Sequence, residues 1–119
     1  MKVINLERAF ASFDEVWSPR ILAQMNDVQI KAAKVGGEFV WHRHDDTDEV
    51  FLVTRGRLTI RFRDREVVLG PGELIVVPKG VEHQPAADEP TDILLIEPAG
   101  TINTGDAGGP GSTTGTWIW

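Results

Sequence analysis

The chain has no cysteine, which excludes disulfides, thiol nucleophiles and thiolate metal sites at once. It has no tyrosine either, so no phenol can serve as an acid or a base. Long apolar runs are missing: Val50–Val53 and Ile93–Ile96 are far too short to span a bilayer. The opening Met1-Lys2-Val3-Ile4-Asn5-Leu6-Glu7 lacks the apolar stretch of a secretory signal, and a soluble cytoplasmic protein is the expectation. Positive charge is scarce: 18 acidic residues against 12 Lys and Arg give a formal net charge of −6. Such a surface repels polyanions, which argues against nucleic acid and anionic membranes as partners. A length of 119 residues leaves room for one domain and one core.

Leu6, Phe10, Phe13 and Trp17 recur at helical spacing, with Ala9 and Val16 alongside. Asn5 suits an N-cap and Pro19 a stop, which predicts one amphipathic helix over 6–16 that covers core or a partner subunit. From residue 27 the pattern changes to short strands, predicted over 28–35, 38–44, 49–54, 58–63, 66–69, 74–77, 81–86 and 92–97. Gly, Pro or Asp punctuates the gaps, so the predicted class is all-β, an antiparallel sandwich or barrel with a short N-terminal helix. Gly70-Pro71-Gly72-Glu73 places Pro and Gly as a type II turn requires. Leu58, Ile60 and Phe62 alternate with Arg57, Arg61 and Arg63, giving one buried face and one wet face on which acids balance the arginines. Residues 98–116 hold six of the 12 glycines and predict an extended or mobile tail. Trp117-Ile118-Trp119, which ends the chain, is apolar enough to need docking on the barrel or on a second subunit. The organisation is then a helical lead-in at 1–26, a barrel at 27–97 and a tail at 98–119.

The chemistry concentrates on the three histidines, His42, His44 and His83, and on Glu49. On a strand, residues two apart share a face, so the imidazoles of His42 and His44 point the same way. A hairpin across the acidic loop of Asp45, Asp46 and Asp48 returns Glu49 beside His44, and those loop carboxylates read as a solvated turn. His83 opens another strand after Pro78-Lys79-Gly80. A carboxylate and three imidazoles converging in an apolar barrel call for a cation, because an isolated buried charge costs several kcal/mol. The nitrogen-rich, sulfur-free set suits Fe, Mn, Ni, Co, Cu or Zn rather than Mg or Ca. Parity predicts Val40, Phe51, Val53, Val81 and Pro85 beside the site, with Val28, Ile30 and Ala32 also facing inward. Phe39, Trp41 and Arg43 are predicted to point outward, and Lys34 is the one cation predicted near the metal face.

The spacing Gly36-x5-His42-x-His44-x4-Glu49-x6-Gly56, then 15 residues, then Gly72-x5-Pro78-x-Gly80-x2-His83, resembles the two motifs of the cupin superfamily. The resemblance spans residues 36–87. Only the last position of the second motif departs, Ala87 standing where the pattern has Asn. The resemblance implies a double-stranded β-helix, a jelly-roll-like barrel, with His42, His44, Glu49 and His83 as ligands of one divalent transition metal. Gly36, Gly56, Gly72, Pro78 and Gly80 become turn residues. It also implies a homodimer and a small-molecule ligand. The implied function is a metal-dependent enzyme on a small oxygen-containing organic molecule, with dioxygenase, lyase or isomerase chemistry. The alternatives are a non-catalytic ligand-binding or sensory module, and a sugar-phosphate isomerase, for which Lys34 is the candidate phosphate cation. No residue other than the ligands has a defensible catalytic role.

Overall fold

The computed structural model describes all 119 residues. Asn5 caps α1 (Leu6–Ala11), its side chain accepting a hydrogen bond from the Arg8 N–H at 2.9 Å. The helix stops at Ala11 rather than reaching residue 16. The apolar stripe is split between two conformations and two cores. Phe10 and Phe13 bury on the outer side of the barrel, whereas Val16 bridges to Lys34 and Trp17, with φ at 55°, packs against the inner core.

Eight strands follow: β1 (Arg20–Met25), β2 (Val28–Glu38), β3 (Glu49–Arg55), β4 (Leu58–Phe62), β5 (Glu66–Leu69), β6 (Leu74–Val77), β7 (His83–Pro98) and β8 (Thr116–Trp117). The order β5-β4-β7-β2-β1-β8 is completed by β3, which pairs with both β7 and β6. Pairing is antiparallel except where β8 lies parallel to β1. The fold is a double-stranded β-helix with a short N-terminal helix.

Two predicted strands, 81–86 and 92–97, are one strand, β7. Pro90 breaks the pattern in sequence but not in the sheet. The β2 partners jump from Thr91 opposite Val35 to Ala87 opposite Gly37, and β4 pairing ends at Ala86, so no neighbour asks Pro90 for an N–H. The predicted strand 38–44 is absent beyond Glu38. Gly37 takes φ of 73° and the segment leaves the sheet, keeping only an isolated bridge between His42 and His83. At the end of β3, Gly56 turns with φ of 91°. An added Cβ there would lie 2.9 Å from the Pro90 carbonyl oxygen, so only glycine fits.

The inner core is built from Ala33, Val35, Phe51, Val53, Leu58, Ile60, Ile93 and Leu95. The outer cluster of Ala9, Phe10, Phe13, Leu22, Ala32 and Leu94 lies under α1. β2 is therefore covered on both faces, and this inverts the predicted parity. Lys31, Ala33 and Val35 are buried on one face, while Ile30 and Ala32 pack in the outer cluster. The alternation of β4 holds, with Leu58 and Ile60 fully buried and Arg61 paired to Glu38 at 2.8 Å. The C-terminal stretch is a turn-rich loop rather than an extended chain, and Ile118 docks on the outer cluster while Trp117 and Trp119 stay half exposed. No helix is long and apolar enough to cross a membrane.

Candidate metal centre

His42 and His44 sit in the irregular segment between β2 and β3. The segment is tied to the start of β7 by a reciprocal backbone pair: His42 N–H donates to His83 O at 3.0 Å, and His83 N–H donates to His42 O at 2.8 Å. Glu49 is the first residue of β3 and His83 the first of β7. All four side chains are buried, and one ligand atom from each lies within 4.8 Å of the others. A strand is not needed to bring the two neighbouring imidazoles together. Their centroids lie 5.0 Å apart in the irregular segment, and that of His83 is 4.4 Å from His42.

The hydrogen bonds select the tautomers. His42 Nδ1 lies 2.9 Å from Val40 O, and His83 Nδ1 lies 2.9 Å from Val81 O. A carbonyl only accepts, so in each ring Nδ1 carries a proton and Nε2 is turned inward. His83 Nε2 faces Glu49 Oε1 at 3.5 Å, with His44 Nε2 at 3.4 Å from the same atom. Those three atoms are buried without a hydrogen-bond partner. Such a cluster is satisfied by a shared proton or by a cation, and metal-bound histidines commonly donate their second N–H to a backbone carbonyl as His42 and His83 do. His42, His44, Glu49 and His83 could therefore hold a metal ion.

Burial, aided by the neighbouring imidazoles, pushes His42 down to about 4. Burial opposes the charge on Glu49, but the His44 and His83 imidazoles more than offset it and hold its carboxyl below the usual range. The structure adds a group that the sequence reading missed. Lys31 Nζ lies 3.1 Å from Glu97 Oε1, with both side chains 1% exposed. Burial and the nearby Glu49 charge push the Glu97 carboxyl up to about 9, against the pull of Lys31. Of the two buried carboxylates, Glu49 is ionised and Glu97 takes the proton at neutral pH.

These shifts act on stability with opposite signs. His42, lowered from 6.5 to about 4, removes stability as the pH falls through that window, because the unfolded chain binds the proton first. Glu97, raised from 4.5 to about 9, adds stability as the pH falls from 9 to 4.5. The metal-free protein is expected to gain stability from pH 9 to 6.5 and to level off below. Glu97→Gln is expected to remove the rise and expose a decline below pH 6.5. Urea denaturation across this range checks it, and identical profiles for the two proteins would refute the assignment of the proton to Glu97.

An apolar cavity opens onto His42 and Glu49, lined by Trp17, Pro19, Ala33, Val35, Phe39, Phe51, Pro85, Ile93, Leu95 and Asn103. Phe39 was expected outside. It faces the cavity instead, stacked on Trp17 at 4.7 Å and edge-on to His42 at 5.5 Å, because the chain has left the strand whose parity placed it outward. Val40 and Val81, expected beside the site, are exposed for the same reason, and contribute their carbonyls instead. Trp41 does point outward, beneath the Arg63 guanidinium at 3.9 Å. Lys34 lies on the outer face over the Phe13 ring, so it cannot serve the cavity. Asp45 pairs with Arg43 and Asp48 accepts from the Lys79 N–H, and neither joins the ligand group.

A β-helix with three imidazoles and a carboxylate at one end of its interior defines a class, and the comparisons agree with it. Residues 31–97 match the family model for the cupin domain, and the chain belongs to that family. A cupin-2 domain containing protein from Shewanella frigidimarina NCIMB 400 is 56% identical, covering 81% of this chain and 94% of its own, with a TM-score of 0.80. The protein NMB1881 from Neisseria meningitidis is 32% identical, covering 82% of this chain and 99% of its own, with a TM-score of 0.75. The protein YdbB of Bacillus subtilis (strain 168) is 36% identical over 77 residues, which is 64% of this chain and 68% of its own.

Proposed function

We propose that His42, His44, Glu49 and His83 ligate one divalent transition metal and that the protein is a metal-dependent enzyme on a small oxygen-containing organic molecule. The observation that carries this reading is the set of unpartnered buried atoms, His44 Nε2, His83 Nε2 and Glu49 Oε1, in the group whose His42 and Glu49 line an apolar cavity. When bound, such a metal supplies Lewis acidity or redox activation of dioxygen. The chain supplies the rest. Phe39, Phe51, Ile93 and Leu95 exclude water and take up an apolar body, while Val40 O and Val81 O hold the ring protons so that Nε2 faces inward. The favoured substrates are small carboxylic acids, keto acids, diketones and phenols that carry their oxygens at one end. The sugar-phosphate reading loses its cation, since the cavity lining includes neither Lys nor Arg.

One observation favours the second reading, a non-catalytic ligand-binding module: the cavity lining offers no free acid or base besides the proposed ligands. Elemental analysis of protein isolated without added metal, followed by assays of oxygen uptake and product formation after loading with Fe(II), Mn(II), Ni(II) or Zn(II), decides between them. Turnover of one of these compounds supports the enzyme. Tight binding without turnover supports the module, and a protein that takes up none of the metals sinks both. A cytoplasmic homodimer is part of the proposal. The half-exposed Trp117 and Trp119, and the exposed Leu74 and Val76 of β6, are the apolar surface that a second subunit would cover.

A further inference from the structure

The loop that follows β7 lies beyond the matched cupin segment, yet it grips the stretch that carries two of the proposed ligands. Arg43 stands between His42 and His44. Its N–H donates to Asp106 Oδ1 at 2.7 Å, and its carbonyl oxygen accepts from the Asp106 N–H at 3.0 Å. Asp106 Oδ2 adds an ion pair with Arg43 Nη1 at 3.3 Å. One side of the histidine segment is thus bridged to His83 and the other is bound by a single residue of the C-terminal loop. Gly105 lets the two backbones approach this closely. With φ at 52°, an added Cβ would collide with Arg43 O and lie 3.1 Å from His42 Cδ2, the ring carbon bonded to Nε2.

The loop is closed on itself independently of the site. Asn103 N–H donates to Thr113 O at 3.0 Å, and Asn103 Oδ1 accepts from Thr113 N–H at 2.8 Å. The buried Thr104 hydroxyl bonds to that of Ser112. Gly105 and Asp106 are therefore presented on a braced turn, whereas residues 39–48 have no ladder of their own.

We propose that the 103–113 loop is a positioning strap for the metal centre, in which Gly105 and Asp106 fix the Arg43 backbone so that His42 and His44 converge before a metal arrives. This rests on the metal reading above. A preset ligand pair spares the ion the cost of ordering an irregular segment. Gly105 and Asp106 are positioning residues, since neither offers an atom to the ligand group.

The test uses Co(II) as the probe, reading its dissociation constant by chelator competition, its visible absorption spectrum, and the melting temperature of the metal-free protein. Asp106→Ala is expected to weaken Co(II) about 10–100-fold, the range for outer partners of metal ligands, and to change the absorption band. Asp106→Asn keeps the acceptor for the Arg43 N–H and loses only an exposed ion pair, so it is expected to bind within about fivefold of wild type. Gly105→Ala is expected to weaken binding as well, by pressing on the His42 ring. Asp45→Ala removes an Arg43 partner without touching the backbone clamp and is expected to change neither affinity nor spectrum. A strap that serves stability alone would lower the metal-free melting temperature of Asp106→Ala and leave cobalt affinity and spectrum at wild-type values, and that result overturns the proposal. Wild-type protein that takes up no cobalt overturns this proposal together with the metal reading, whereas tight wild-type binding equalled by Asp106→Ala overturns this one alone.

Discussion

His83→Ala is expected to abolish stoichiometric metal binding while the barrel still folds. His83 aims an unpartnered Nε2 at Glu49 Oε1, and no other side chain in the ligand group can replace it. Loss of a ligand should exceed the 10–100-fold that removal of an outer partner costs, so affinity is expected to fall by more than about a hundredfold. The fold should survive because His83 pairs through its backbone, with Phe62 opposite it on β4 and His42 on the other side. His42→Ala is expected to behave alike. Glu49→Gln keeps the volume and removes the charge, so it should lose metal as well. Elemental analysis with circular dichroism reads all three variants. Full metal occupancy in both histidine variants would remove these residues from the ligand set.

Lys31→Met is expected to destabilise the protein by about 2–3 kcal/mol, the cost of leaving buried polar groups without their hydrogen-bond partner, since Glu97 carries its proton at neutral pH. Lys31 is 1% exposed, donates to Glu97 at 3.1 Å and lies 3.5 Å from the Thr101 carbonyl oxygen. Methionine fills nearly the same space, so the loss reports the unpaired groups left behind rather than a cavity. Glu97 Oε2 already lacks a partner, and without the ammonium both oxygens of Glu97 are stranded. The double variant Lys31→Met with Glu97→Leu is expected to recover most of the loss, because apolar replacement of a whole buried pair is often neutral. Urea denaturation of the two variants measures this. A single variant within about 1 kcal/mol of wild type would mean that the pair is not held as the structure shows it.

Much of the barrel was legible because its strands obey simple rules. β5 and β6 appear at their predicted bounds, and Leu58 and Ile60 occupy the buried side of β4 as alternation required. The spacing of glycines, prolines and histidines placed the four candidate ligands in one group, and the structure brings those four together. What stayed illegible has physical causes. β2 is buried on both faces, so alternation could not tell inside from outside, and Lys31 drew no notice. Its burial depends on Glu97, a partner 66 residues away that no local pattern reveals. Phe39 was misplaced because a strand's parity was extended past Gly37, where the chain leaves the sheet. The glycine-rich end read as tail because its order comes from Asn103, Thr104 and Asp106 side chains bonding across the loop, not from any periodicity. β1 and β8 were not predicted at all: β8 has two residues, and β1 merges apolar Ile21 and Leu22 with polar Gln24 at its exposed end.

β7 pairs with β4 and the end of β2 in its first half, and with β3 and β2 in its second. The amide protons in its middle should exchange with deuterium only when the whole barrel opens, whereas the His83 N–H, bonded to the His42 carbonyl, follows the segment it faces. The segment bearing His42 and His44, tied by the His83 backbone pair, the Asp106 clamp and the Gly80 N–H to the His44 carbonyl but by no ladder, runs on a faster clock. An ion held between the two would escape by fluctuation of the loop, at a rate set by that local opening and insensitive to mutations that merely weaken the barrel.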